Sequence, residues 1–403
     1  MVEVPSNEGV LSGGPRSSVR TMSTPVADPR VVHHVERACA RATTAEELFG
    51  AVSHEVAKAV PFDGSMWFGL DPATLLAVAP ARFEALDEGY CQVFWDGEFH
   101  EQDTALYRDL ARDATPAAAL RAATGDRPLR SHRYRSFVRP QGYDDELRVV
   151  FRVGENTWAA GALFRETGRP PFSPDEVAFM AAISGSVGAA FRTRLAMGAM
   201  APALSIAPGL LMFDGSNVLV SANAEATRWL ADIYGDRVVE PGSQWVELLA
   251  DPMSNDLQLA VPIVPLLARA RAVAAGLDDG PARLRLRDGT GRWLVLHASC
   301  LSGGTADGAV AVVVEPAKST DIAPIVIEAY GLSPRERDVV RAVARGSSTP
   351  DIAAELFLSA HTVRDYIKSV FEKVGVSSRG ELVAKLFAEH YTDDLHATAV
   401  HVN

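Results

Sequence analysis

Arg364 and Lys368 stand one helical turn apart, with His361, Thr362 and Asp365 beside them, in a stretch running from Ser359 to Gly375. Arginine and lysine at that spacing suit guanine edges and phosphate oxygens. Asp365 among them would accept from cytosine or repel a phosphate. Such chemistry reads a DNA duplex, and it needs a helix with its opposite face buried. Val363, Ile367, Val370 and Val374 recur at helical spacing and supply that face, so His361, Arg364, Asp365 and Lys368 are expected outside. Ser359, as the cap of this helix, and Lys373 near its end complete the candidate DNA-binding set with Thr362.

The surrounding punctuation predicts the elements that hold this helix. Ser333, Pro334 and Glu336 form a capping box with proline at the first helical position, and Val339, Val340, Val343 and Ala344 follow before Gly346. Thr349, Pro350 and Asp351 start a second helix with Ile352, Ala353 and Leu356 on its buried side. Phe357 and Leu358 turn the chain into the helix capped by Ser359, and Ser378 with Glu381 boxes a fourth. Two short helices joined by a tight turn, the second longer, have helix-turn-helix geometry. On periodicity alone, a plain helical bundle is the competing reading.

The motifs decide between them. The segment 330–391 resembles the LuxR/NarL-type four-helix DNA-binding domain. It matches the opening L-S/T-x-R-E at Leu332, Ser333, Arg335 and Glu336, and I-A-x-x-L at Ile352, Ala353 and Leu356. It also matches S-x-x-T-V at Ser359, Thr362 and Val363, and K-x-G-V at Lys373, Gly375 and Val376. The resemblance implies base reading from Arg364, Asp365 and Lys368 and dimer contacts through the fourth helix. Tyr366, where the family often has histidine, and the acidic Asp365 leave the target sequence open.

The whole chain has 403 residues, 47% hydrophobic and 22% charged, an ordinary globular composition with enough length for three domains. A net charge of -12 excludes a general polyanion binder. Between 330 and 391, nine basic residues meet eight acidic ones, which fits a weak monomer that gains affinity by homodimerising. Cys39, Cys91 and Cys300 show neither disulfide nor zinc spacing, and no apolar run is long enough to span a membrane. A cytoplasmic, bacterial protein is the expectation. Residues 1–28 read as a disordered tail in which Met22 is an alternative start, and 392–403 as a second tail.

Upstream, the fold class expected is two α+β sensor domains ahead of the all-α one. In 29–196 a helix pair, strands, middle helices over Leu86 to Leu110, a hairpin at 147–164 and a closing helix from Ser173 resemble a GAF-type domain. Trp67, Tyr90, Phe94, Trp95 and Trp158 are candidates to line a small-molecule pocket, although aromatics at such spacing more often build core. A linker is expected at 197–207. The segment 208–317, with a hairpin around Asp214-Gly215, an Asn223-Ala224-x-Ala226 helix opening and three late strands, resembles a PAS domain. A second linker is expected at 318–329.

Other chemistry is not indicated. The histidines lack metal spacing, and neither a phosphate-binding loop nor a dinucleotide fingerprint occurs. The nearest approach to a nucleophile elbow, Ser184-Gly185-Ser186-Val187-Gly188, lies in an apolar helix, and no receiver domain can be placed. The basic run Arg130, His132, Arg133, Arg135 and Arg139 reads as a solvated surface more readily than as an anion site. No cofactor and no catalysis are expected. The rivals are a scaffold recruiting RNA polymerase without its own DNA contacts, and an enzyme in the first domain.

Overall fold

The computed structural model describes residues 29–87, 90–197, 207–234, 241–242, 262–303, 308–383 and 385. The tails expected at 1–28 and 392–403, and nearly all of the linker at 197–207, lie outside the described residues.

Helices α1 (Pro29–Arg41) and α2 (Ala45–Ala59) lead into the first sheet. Thr44 starts α2 with a capping box, its hydroxyl accepting from the Glu47 amide at 3.1 Å. Strands β1 (Gly64–Leu70) and β2 (Ala77–Glu84) follow, then helices α3 (Cys91–His100) and α4 (Tyr107–Leu110). Next come β3 (Ala117–Ala119), α5 (Leu120–Ala123), β4 (Tyr143–Val153), β5 (Asn156–Glu166) and the long α6 (Pro174–Met197). The strands pair antiparallel in the order β2-β1-β5-β4-β3. One face packs on α1, α2 and α6 through Trp67, Phe151 and Leu163; the other packs on α3 and α4 through Phe68, Val150 and Phe164. Burial on both faces fits the largely apolar runs of β1 and β5.

The helical segment expected over Leu86 to Leu110 holds two helices, α3 and α4. Asp103 turns the chain between them, accepting from the Thr104 and Arg133 amides and from the Ser131 hydroxyl. The polar run Glu101 to Thr104 marks that turn in the sequence. The Ser-Gly run in α6 is a packing device: Ser184 Oγ donates to Val150 O at 2.7 Å, and a Cβ on Gly188 would lie 3.0 Å from the Phe151 backbone.

The second sheet comprises β6 (Gly209–Phe213), β7 (Leu219–Ala222), β8 (Arg283–Arg287), β9 (Trp293–Cys300) and β10 (Val310–Pro316), with α7 (Ala224–Tyr234) and α8 (Ile263–Ala274) between β7 and β8. Its order, β7-β6-β10-β9-β8, repeats that of the first sheet. Asn223 caps α7, its side-chain oxygen accepting from the Ala226 amide at 2.8 Å. Helices α7 and α8 cover one face through Trp229, Leu266 and Leu267, while Trp293 and Val295 on β9 join the core of the first domain.

The linker expected at 318–329 is helix α9 (Ser319–Ala329). The Asp321 carboxylate accepts from the Lys318 amide at 2.9 Å to start it, and Pro324 faces outward. Ile322 and Ile325 pack into the first-domain core, whereas Ala323 and Ile327 belong to the C-terminal core. An element apolar towards two bodies lacks the single stripe by which a helix is read in a sequence.

The chain then forms α10 (Pro334–Ala344), α11 (Thr349–Leu356), α12 (Ala360–Val374) and α13 (Arg379–Val383) around Val339, Val343, Ile352, Val363, Val370 and Leu382.

Candidate DNA-recognition surface and interdomain junction

Local chemistry fixes α12. The Ser359 hydroxyl accepts from the Thr362 amide at 3.0 Å and shares a 2.8 Å hydrogen bond with the Thr362 hydroxyl. Gly375, at φ 69°, ends the helix. Before it, Phe357 turns the chain at φ 56° while its ring is 95% exposed. The start of α11 is capped by Ser348, one residue earlier than Thr349; the Ser348 hydroxyl accepts from the Asp351 amide at 3.4 Å. Thr349 serves instead as an acceptor for Arg379, which also donates to Ser347 O and so ties α13 to the start of α11.

Val363, Val370 and Val374 are buried, Ile367 is half-buried, and His361, Arg364, Asp365 and Lys368 are exposed together. The Arg364 and Lys368 side chains make no hydrogen bond or ion pair among the described residues, so their head-group donors are free. His361 Nδ1 lies 2.9 Å from Asp365 Oδ2, which offsets the acid's repulsion of a phosphate when the imidazole is charged. Ser359 and Thr362 occupy the start of the same surface, where helix amides favour phosphate.

Lys373 is a different case. It follows Arg364 by nine residues, about half a turn round the helix. Its ammonium bonds both Glu336 oxygens, at 2.8 and 2.7 Å. Glu336 also accepts from Ser369 Oγ at 2.6 Å and from the Ser333 amide at 2.6 Å. Burial alone would raise the Glu336 pKa, but Lys373, Ser369 and Ser333 overcome it and hold the carboxyl at about 2. The geometry commits the Lys373 ammonium to Glu336, on the side of α12 away from Arg364, although the side chain itself is exposed.

The five aromatic candidates of the first domain divide between two faces. Trp67 and Trp158 lie fully buried against α1, α2 and α6, Trp67 stacking on Phe151 at 6.0 Å. Tyr90, Phe94 and Trp95 lie on the other face with Phe137 and Tyr107. A strand alternates its side chains between faces, so residues 67 and 158 cannot join the α3 aromatics in one pocket. Behind Phe94 runs a buried charge network unforeseen in the sequence: Arg148 Nη1 to Glu98 at 2.7 Å, Arg148 Nε to Glu146 at 2.9 Å, and Arg133 to Glu146 at 2.6 Å. Arg133, read in the sequence as part of a solvated basic run, is buried here against Glu146 of β4.

A second missed constellation joins the bodies. Arg285 on β8 donates its amide and Nε to Asp71 Oδ2, at 2.8 and 2.9 Å, and its Nη1 to Asp321 O of α9 at 2.8 Å. Asp71 follows β1 of the first domain. Arg283 bonds the Asp321 carboxylate at 2.7 Å. At the far end of α9, Glu328 accepts from Asn156 on β5 and lies 3.7 Å from Arg337 on α10. Both sheet domains and the helical domain therefore meet on α9.

Among the described residues, no cluster of His, Cys, Asp or Glu could hold a metal ion, and no helix is long and apolar enough to cross a membrane.

A compact four-helix unit with an exposed, cationic second helix of the helix-turn-helix pair defines a DNA-binding regulator. Residues 331–386 match the family described as bacterial regulatory proteins, luxR family. The chain is 30% identical over 164 residues to the probable transcriptional regulatory protein NarL of Mycobacterium tuberculosis, spanning 38% of this chain and 70% of that one. It is 40% identical over 55 residues to the spore germination protein GerE of Bacillus subtilis, 14% of this chain and 74% of that one. The chain belongs to the LuxR family of bacterial regulators.

Among solved structures, a biliverdin-bound far-red-absorbing protein, JSC1_58120g3, aligns with TM-score 0.27 and 13% identity over 41% of this chain and 98% of its own. A Vibrio cholerae VqmA–ligand–DNA complex aligns with TM-score 0.21 and 17% identity over 45% of this chain and 81% of its own. Likenesses this slight say nothing about what this chain binds.

Proposed function

We propose that this LuxR-family regulator is a cytoplasmic homodimer that reads a DNA operator through Arg364, Lys368, His361 and Asp365, with Ser359 and Thr362 towards the backbone. In this reading the first domain is GAF-like and the second PAS-like, both respond to a small-molecule signal, and neither catalyses a reaction. The observation that carries it is α9, one helix shared by both sheet domains and the DNA-binding core. A displacement at Asp71, Arg285 or Asp321 reaches α10 through a single rigid element. The common strand order of the two sheets supports the assignment of two related sensor folds.

Two routes from signal to DNA differ in what is seen at α12. A masking mechanism requires the recognition face to be covered, whereas Arg364 and Lys368 are exposed. That exposure favours a signal that resets the spacing of two paired domains, whose half-sites would lie about 34 Å apart, one turn of duplex. RNA polymerase is the partner such a bound dimer would meet at a promoter. Selection of bound duplexes from a random pool by the full chain tests the reading: enrichment of a two-fold symmetric sequence is expected, and failure to enrich any sequence would count against it.

A further inference from the structure

A cleft of about 310 Å3 lies between the two sheet domains, apart from the DNA-facing surface. Its floor is aromatic, with Trp95 and Phe99 of α3 and Tyr107 of α4. The opposite wall comes from the second domain, with Arg269 of α8 and the turn holding Leu277, Asp278 and Asp279. Arg269 bridges the gap. Its guanidinium lies 5.5 Å from the Phe99 ring centre, Nη1 donates to Thr74 O of the first domain, and Nη2 donates to Asp278 at 3.1 Å.

The cleft's donors outnumber its available acceptors. Arg269 Nε is buried with no hydrogen-bond partner among the described residues. The guanidinium of Arg112, exposed on the rim one turn after Arg108, makes no hydrogen bond or ion pair among them either. Arg108 spends two bonds on the Glu98 and Glu101 carbonyls and keeps the rest of its guanidinium. On the acidic side, Glu98 is occupied by Arg148 and the Tyr107 amide, and Asp278 by Arg269 and the Gly280 amide. Of the three acids that line it, only Asp279 has no side-chain partner among the described residues. Beside the aromatic floor, Leu277 is 55% exposed and offers an apolar lip.

We propose that this cleft binds a small organic carboxylate with a planar apolar body. The ring rests against Leu277 and the exposed edges of Phe99 and Trp95, and the carboxylate takes donors from Arg112 and Arg108, with the Arg269 charge behind them. Such a ligand touches both domains and stabilises the arrangement in which the walls face each other. The inference rests on the sensor reading above and names where and what it senses.

Isothermal titration of the full chain with benzoate, 4-hydroxybenzoate and indole-3-acetate tests it, with benzyl alcohol and inorganic phosphate as controls. At least one carboxylate should bind saturably, with both controls weaker by about tenfold or more. Arg112→Ala should weaken that binding by about tenfold and Arg112→Lys by less, while both variants keep the wild-type melting temperature. Failure of all three carboxylates to bind, binding indifferent to Arg112→Ala, or phosphate binding as tightly as the carboxylates would overturn the proposal. The sensor reading fails on a different result, namely that the full chain's DNA affinity never responds to a small-molecule extract of its host. A responding extract alongside three inert carboxylates removes the cleft ligand and leaves the sensor.

Discussion

Arg364 and Lys368 have similar charge and exposure, yet the chemistry of their head groups assigns them different parts. A guanidinium can bond a guanine edge at two points, so Arg364→Ala should cost about 1–3 kcal/mol on the preferred operator and relax specificity at one position. An ammonium is a compact point charge, and if Lys368 meets phosphate, Lys368→Ala should weaken all sequences alike and reduce the salt slope by about 1. Titrating matched and mismatched duplexes at several salt concentrations distinguishes the two. Lys373 should behave as neither. Lys373→Met strips Glu336 of its counter-ion and should lower the domain's melting temperature without changing the salt slope of DNA binding. Because the Glu336 carboxyl is held at about 2, below its ordinary 4.5, its contribution is fully present above pH 4.5 and is lost as pH falls towards 2. That contribution is on the order of 2 kcal/mol after allowing for the exposure of Lys373, and acid unfolding followed by circular dichroism should show it shrinking in Lys373→Met.

At the scale of elements, the turn between α11 and α12 carries an avoidable strain. Phe357 is left-handed at φ 56°, a conformation that costs a residue with a Cβ about 1 kcal/mol, and its exposed ring recovers little by burial. Phe357→Gly should therefore raise stability by about 0.5–1 kcal/mol in chemical denaturation, provided the ring meets no partner. The helices around this turn were legible because caps and breakers are written locally: Ser333 with Glu336, Ser359 with Thr362, and Gly346 and Gly375 as stops. The hairpin of β4 and β5 and the start of α6 at Ser173 were legible for the same reason. What escaped depends on distant partners. Helix α9 is apolar on two sides, α8 is almost wholly buried and so shows no polar face, and the assignment of Trp67 and Trp158 to one face turns on strand register. Lys373 looked like its cationic neighbours until Glu336, thirty-seven positions earlier, was seen beneath it.

For the molecule as a whole, the junction on α9 is where the two sheet domains and the helical domain are held together. Arg285→Ala would strand Asp71 as a buried, unpaired acid and should destabilise the full chain by about 3–5 kcal/mol, whereas the matched pair Asp71→Asn with Arg285→Met should cost much less. If α9 also transmits the signal, that matched variant should fold and bind DNA but lose its response to a host extract, which DNA titration with and without the extract would show. The most direct test of the central claim, that this chain reads DNA through α12, is a genome-wide map of the sites bound in its host by the wild type and by the Arg364→Ala, Lys368→Ala double variant. Discrete wild-type sites sharing a two-fold symmetric sequence, and lost in the double variant at equal protein level, are the predicted result. Sites unchanged in the double variant would contradict it and move recognition away from α12.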